Sequence, residues 1–422
     1  MKKIITSLML CTSLVAVQLP LSFQVGATGI GAGAGAEEKP KRKVHLPGPS
    51  VGKKVGKAFE AYSADDVDGA LLILSEIEAK KDYDKAFVSF FTGQMYAMKG
   101  DSLKAIEYLK AAVAPDILNE ADQGNTLKLL GDLQMQEKQY GEAVKNYYAW
   151  MDFTGKEDGD VWTKIANAHY ANKKLDKVIE PADRAIAAYG DKHNQNPYIL
   201  KVTSFYERKM YKDAVKVLET VVQIFPEKKA FWTQLGQFYA LIENYPKALA
   251  TLDLAYKQGF LTKESEIKLL ASLYQQSDIP YTAALILEKH IASGDIKRDD
   301  TNLASLANAW HAAQHIDKAA KYYGELAKMT NLAKHYTKQG NLLKQDEQFK
   351  SAVVALNKAI ELGVKDKGRV YMSIAEAHFY LQDYKQAYKA FQQAAKDPKT
   401  KKYAKVWLAH TKDTAQRKGK HI

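Results

Sequence analysis

Apolar and small residues return along this chain at intervals close to 35 residues. The pattern is sharpest at residues 229–255. There Trp232, Leu235, Gly236, Tyr239, Ala248, Leu252 and Ala255 fall at helical spacing on two consecutive stretches. With residue 229 as position 1, position 20 recurs at Ala70, Ala105, Ala143, Val178, Ala214, Ala248, Ala283, Ala319, Ala352 and Ala387. Position 8 recurs at Ala58, Gly93, Gly131, Ala166, Val202, Gly236, Ala271, Ala307, Gly340 and Ala375, never larger than Val. Position 24 carries Leu74, Leu109, Tyr147, Ala182, Leu218, Leu252, Leu287, Tyr323, Leu356 and Phe391. Each unit therefore predicts two helices, A and B. Small residues at 8 and 20 are expected to face each other, with larger apolar residues at 4, 7, 11, 24 and 27 filling the gap around them. The Trp residues at 150, 162, 232 and 310 occupy positions 27, 4, 4 and 11 and read as core.

The spacing W-x2-L-G-x2-Y-x8-A-x3-F-x2-A, with Leu252 in the Phe place, resembles the tetratricopeptide repeat (TPR), a helix–turn–helix unit. The resemblance implies an all-α fold, a right-handed α-solenoid of about ten units over residues 51–401 in one continuous body. Residues 402–422 are expected to form a capping helix and basic tail, with Tyr403, Val406, Trp407 and Ala409 closing the last hydrophobic face. The consensus Pro at position 32 is kept only as Pro226, and the first unit, from Val51, lacks aromatics at 4 and 11 and reads as a half-formed cap.

Before the repeats, Lys2 and Lys3 precede an apolar stretch, Ile4 to Val17, and the small residues Val25-Gly26-Ala27. This is the order of a secretory signal peptide, residues 1–27, cut after Ala27 or after Ala36, with periplasmic delivery expected. Cleavage would remove Cys11, the single cysteine, so no disulfide framework or thiolate metal cluster is expected. Residues 28–50 are Gly-rich, then Lys- and Pro-rich, and read as a flexible linker. No later window is apolar enough to span a membrane.

The net charge of +12 is confined to the ends. Residues 28–57 carry seven basic and two acidic side chains, residues 396–422 nine and two, while 58–395 total −2. Only six residues are Arg. Nucleic-acid binding, which wants an Arg-rich basic face on the fold, is not expected. Contact of the tails with an anionic envelope surface is the remaining electrostatic expectation, and it supports an alternative role as an envelope-assembly factor touching peptidoglycan or lipopolysaccharide.

No phosphate-binding loop, dinucleotide fingerprint, HExxH or GxSxG occurs. His311 and His315 stand four apart, but His315 falls where the inter-helix turn begins. Neither an enzyme nor a cofactor is expected.

The resemblance places a partner groove on helix A, at positions 2, 5, 9 and 12. Position 9 reads Gln94, Asp132, Asn167, Thr203, Gln237, Ser272, Asn308, Asn341 and Glu376, all polar and none Lys. Amide and hydroxyl groups can hydrogen-bond a peptide backbone in either polarity. Position 12 adds Tyr170, Tyr206, His311 and Phe379, of which Tyr and Phe are expected to supply apolar anchors. Lys at 5 never joins Asn at 9 in one unit, so the carboxylate clamp of chaperone-binding relatives is not expected. The whole chain, including GKAFEAYSADDVDGALLILSEIEAKKDY at 56–83, also resembles periplasmic TPR proteins of marine gammaproteobacteria ascribed to TonB systems. That resemblance implies a protein-binding scaffold beside the complex that powers outer-membrane uptake of iron carriers.

Overall fold

The computed structural model describes residues 42–422. The signal peptide, both cleavage positions, Cys11 and the Gly-rich start of the linker lie outside the described residues. Among the described residues there are twenty-one α-helices. They group into two compact units, 42–226 and 227–422, meeting in sequence at Pro226, the one consensus proline.

The first unit holds five helix pairs: α1 (Pro49–Ser63) with α2 (Val67–Ser75), α3 (Asp82–Lys99) with α4 (Ser102–Val113), α5 (Glu120–Gln136) with α6 (Tyr140–Thr154), α7 (Gly159–Ala171) with α8 (Ile179–Tyr189), and α9 (Gln195–Glu207) with α10 (Tyr211–Ile224). The second holds five more: α11 (Lys229–Leu241) with α12 (Tyr245–Lys257), α13 (Glu264–Gln276) with α14 (Pro280–Ser293), α15 (Asp300–Ala312) with α16 (Ile316–Thr330), α17 (Ala333–Gln345) with α18 (Phe349–Glu361), and α19 (Lys367–Tyr380) with α20 (Tyr384–Ala394). Helix α21 (Lys401–Arg417) follows and packs on α20. Inside each compact unit every helix B also packs on the next helix A, the nearest-neighbour stacking of an α-solenoid.

The small-residue frame explains the pairing. All ten residues at position 20 are fully buried, at 0% exposure. The partner of position 8 differs from expectation. A Cβ added to Gly93 would stand 2.6 Å from Leu109 Cγ, and one on Gly131 would stand 2.6 Å from Tyr147 Cε1. Position 8 is therefore small because the larger residue at position 24 lies directly over it. The Ala at position 20 fills the next place along helix B.

The turn between A and B is the same ten times. Position 15 has a left-handed backbone in every unit, yet it is glycine only at Gly100. Asp65, Lys138, Lys173, Lys209, Glu243, Asp278, Gln314, Glu347 and Gln382 take φ between 57° and 63° there. In each unit the N–H of residue 16 donates to the carbonyl of residue 11, as Met210 does to Phe205 at 2.8 Å. This closes helix A as a Schellman motif. Asp66, Asp101, Asn244 and Asp383, all at position 16, then cap helix B by accepting a backbone N–H.

Several expectations are corrected. The first unit is a complete helix pair, not a half-formed cap. Trp232 is only half-buried, whereas Trp310 is wholly enclosed. Helix B of the fourth unit opens with a 3-10 turn, Leu175–Val178, ahead of α8. Pro181 sits three residues into α8, and its ring excludes a regular α-turn across the carbonyl four residues earlier. In α21 the packed stripe is Ala404, Trp407, Leu408, Thr411 and Ala415, while Tyr403 and Val406 are each 66% exposed. The capping helix is present, but of the four residues assigned to its inner face only Trp407 faces the core, stacking on Phe391 at 5.3 Å.

The end of the linker is held rather than free. Arg42 donates to the carbonyls of Leu118 and Asp116, each at 2.8 Å, and pairs with the Asp116 carboxylate at 2.6 Å. Its guanidinium lies 5.0 Å from the Phe153 ring centre. The His45 backbone is clamped by Asn119, and the Gly48 N–H donates to Asp84 at 2.8 Å.

Candidate partner-binding groove

The candidate groove residues lie on helix A at positions 9 and 12 of successive repeats, six in the first compact unit and the rest in the second. In the first unit Gln94 and Asn167 are half-buried on α3 and α7. Asp132, on α5, is already engaged. It accepts from the Tyr147 hydroxyl at 2.7 Å and from Lys164 Nζ at 2.6 Å. It thus ties α5 to its own helix B and to the next helix A. Thr203 turns its hydroxyl back to the carbonyl of Ile199, 2.8 Å away, and offers a partner less than expected. Tyr170 donates to Glu207 at 2.5 Å across to the next unit. Burial first, and then that carboxylate, push its hydroxyl up to about 12. Tyr206 packs its ring 6.0 Å from Tyr211.

In the second unit Gln237 and Ser272 are half-buried on α11 and α13. Asn308, on α15, is exposed, but its Oδ1 accepts from the Tyr323 hydroxyl. At Asp132 and Asn308 this row is therefore tied into the packed stripe. In both cases position 24 of the same unit is Tyr, and its hydroxyl reaches the polar residue at position 9. Glu376 is likewise paired, with Lys344. Phe379, placed among the anchors, is covered by Trp407 at 5.3 Å and by Tyr384 at 5.5 Å, so it is core. His311 is half-buried, and burial lowers its pKa. His315 lies in the turn, its ring 5.2 Å from those of Tyr281 and Trp310. Among the described residues no cluster of His, Cys, Asp or Glu could hold a metal, and no helix is long and apolar enough to cross a membrane.

Asn341 lines a pocket of 460 Å³ between α17 and α19, with Thr337, Val364, Asp366, Arg369, Val370, Met372 and Ser373. Thr337 and Asn341 hold positions 5 and 9 of one repeat, and Arg369 and Met372 hold positions 2 and 5 of the next. Four helix-A positions from successive units thus line one cavity. Asn341 brings an amide, Ser373 a hydroxyl and Arg369 a guanidinium, whereas the Thr337 hydroxyl turns back to the carbonyl of Ala333, 2.9 Å away; Met372 adds apolar lining, and Val370 is nearly buried. The guanidinium is paired, Arg369 Nε standing 3.3 Å from the Asp366 carboxylate. Thr337, Arg369 and Met372 could have been found from the sequence by extending the frame from position 9 to positions 2 and 5.

No protein-family model matches the chain. Over 218 residues it is 23% identical to the TPR repeat-containing protein MJ1428 of Methanocaldococcus jannaschii, covering 46% of this chain and 36% of that protein. The chain thus spans little more than a third of that relative's length. Among solved structures it is similar to Naa15/Naa10 bound to HypK-THB, at 16% identity and TM-score 0.43, over 86% of this chain and 60% of that one. It is also similar to YrrB, a TPR protein with an unusual peptide-binding site, at 16% identity and TM-score 0.35, over 44% of this chain and 93% of that one. The chain's own ten helix pairs, with their shared turn and frame, make it a repeat protein of the tetratricopeptide type.

Proposed function

We propose that this chain is a protein-binding scaffold that holds an extended segment of its partner along helix A. The carrying observation is the 460 Å³ pocket lined by helix-A positions of two successive repeats, among them the Asn341 amide, the Arg369 guanidinium and Met372. Such a site takes an extended peptide by hydrogen bonds to its main chain, with an apolar side chain against Met372. Export to the periplasm and a partner from a TonB system complete the proposal. The order of residues in 1–27 supports the first, and the resemblance over the whole chain supports the second.

A pulldown from envelope extracts tests both levels. The wild type should recover a TonB-system protein. Replacing Asn167, Gln237 and Asn341 by Ala together should weaken capture about tenfold for every 1.4 kcal/mol lost, at about 0.5–1.5 kcal/mol per bond. Asn308 is left intact because it holds Tyr323. Recovery of no TonB-system protein removes that partner. Equal recovery by the triple variant removes the groove while leaving the partner in place.

A further inference from the structure

The segment running into α1 is bound to the first unit in a manner that defines a second recognition site, away from helix-A positions 2, 5, 9 and 12. Two features do the binding. The Arg42 guanidinium meets two carbonyls, a carboxylate and an aromatic face: Asp116 O and Leu118 O at 2.8 Å, the Asp116 carboxylate at 2.6 Å, and Phe153 at 5.0 Å. Three residues on, the Asn119 amide serves both backbone groups of one residue. Its Oδ1 accepts the His45 N–H at 2.8 Å, and its Nδ2 donates to the His45 carbonyl at 3.1 Å. A second Nδ2 bond to the Tyr83 hydroxyl, 2.9 Å, fixes the amide's orientation. The His45 ring lies 5.3 Å from that of Tyr83.

A third tie is the Gly48 N–H, which donates to Asp84 at 2.8 Å. Val44 and Leu46 are 73% and 84% exposed, so neither apolar side chain is read. The site therefore reads an arginine and, three residues later, an extended backbone. An arginine fork suits paired carbonyls and a carboxylate as a lysine would not. An amide that bonds both main-chain groups of one residue is indifferent to that residue's side chain.

We propose that Asp116, Leu118, Asn119, Phe153 and Tyr83 form a receptor for an arginine-bearing extended peptide of another polypeptide. Residues 42–48 occupy it in cis and are displaced when that peptide binds. The cis segment is joined directly to α1, so its effective concentration is of millimolar order, and a free peptide competes poorly until the cis contacts are weakened.

The probe is a fluorescein-labelled peptide with the sequence of residues 40–48, followed by anisotropy against the full chain. Arg42→Ala and, separately, His45→Pro unseat the cis segment, the second by removing the N–H that Asn119 accepts. Circular dichroism shows whether each variant keeps its helices. Either folded variant should bind the probe at least tenfold more tightly than the wild type. The gain should vanish with a probe carrying alanine for its arginine, and with Asn119→Ala added to the variant. Equal binding by wild type and both variants overturns the proposal, as does equal binding of the alanine-bearing probe.

Discussion

At the residue scale the inter-helix turn is where this sequence departs most from what its backbone wants. Nine of the ten left-handed positions carry side chains that oppose that conformation. The strain is about 1–2 kcal/mol per residue, and it persists because the residue 16 to residue 11 bond closes the turn in every unit, helped at four of them by a helix B cap. The left-handed turn was not legible beforehand, because a Lys or Glu carries no sign of it. Only Gly100 does. Lys209, exposed and at φ 61°, separates the backbone effect from side-chain contacts. Lys209→Gly should stabilise the fold by about 0.5–1 kcal/mol, the strain relieved less the extra freedom of glycine in the unfolded chain. Gly100→Ala should destabilise it by about 1 kcal/mol. Denaturant midpoints of the two variants should move in opposite directions. A common shift would mean that the turn is held by contacts rather than by backbone preference.

At the scale of the element, the helix pair was legible and its polar cross-ties were not. Small residues at 8 and 20 recur because two helix backbones approach closely there, and this constraint acts in every unit. The bonds Asp132 to Tyr147 and Asn308 to Tyr323 arise only where position 24 is Tyr, so no periodicity announces them. The same reason hid Pro181, whose effect is confined to the first turn of one helix. Asp132 is the best place to weigh such a tie. Tyr147 is wholly buried, and its hydroxyl pKa is raised by burial first and by the neighbouring carboxylate next. Asp132→Leu leaves that hydroxyl and the Lys164 ammonium without their shared acceptor. It should cost about 1–3 kcal/mol, the penalty for stranding a buried polar group. Adding Tyr147→Phe should recover part of the loss, because no hydroxyl is then left unpaired. If the double variant is as unstable as the sum of the two single ones, the bond contributes nothing.

For the molecule as a whole, charge and packing divide the chain differently. The positive excess sits in residues 28–57 and 396–422. Arg42 is tied to Asp116, and α21 carries Trp407 onto Phe391. Counting charges in the sequence located the basic ends and could not show that Arg42 and α21 are bound to the repeats, since the partners lie 74 residues from Arg42 and 16 from Trp407. Deleting 396–422 to test its charge would therefore strip Phe379 and Phe391 of their cover and confuse two effects. Point substitutions separate them. Trp407→Ala should cost about 2–4 kcal/mol, below a fully buried tryptophan because Trp407 is half-exposed. The loss should appear first in α19 and α20 by amide exchange, since repeats communicate with their neighbours. Lys402 and Lys405 are exposed on the outer face of α21, beside Tyr403 and Val406. Replacing both with Gln should leave the melting temperature unchanged. In co-sedimentation with vesicles rich in anionic lipid, the wild type should pellet at low ionic strength and be released as the screening length falls below ~10 Å near 0.1 M salt. The double Gln variant should bind roughly thirtyfold more weakly, at about 1 kcal/mol per lysine near such a surface. Salt-insensitive binding, or a Gln variant that pellets as well as the wild type, would reduce the outer face of α21 to a solvated end.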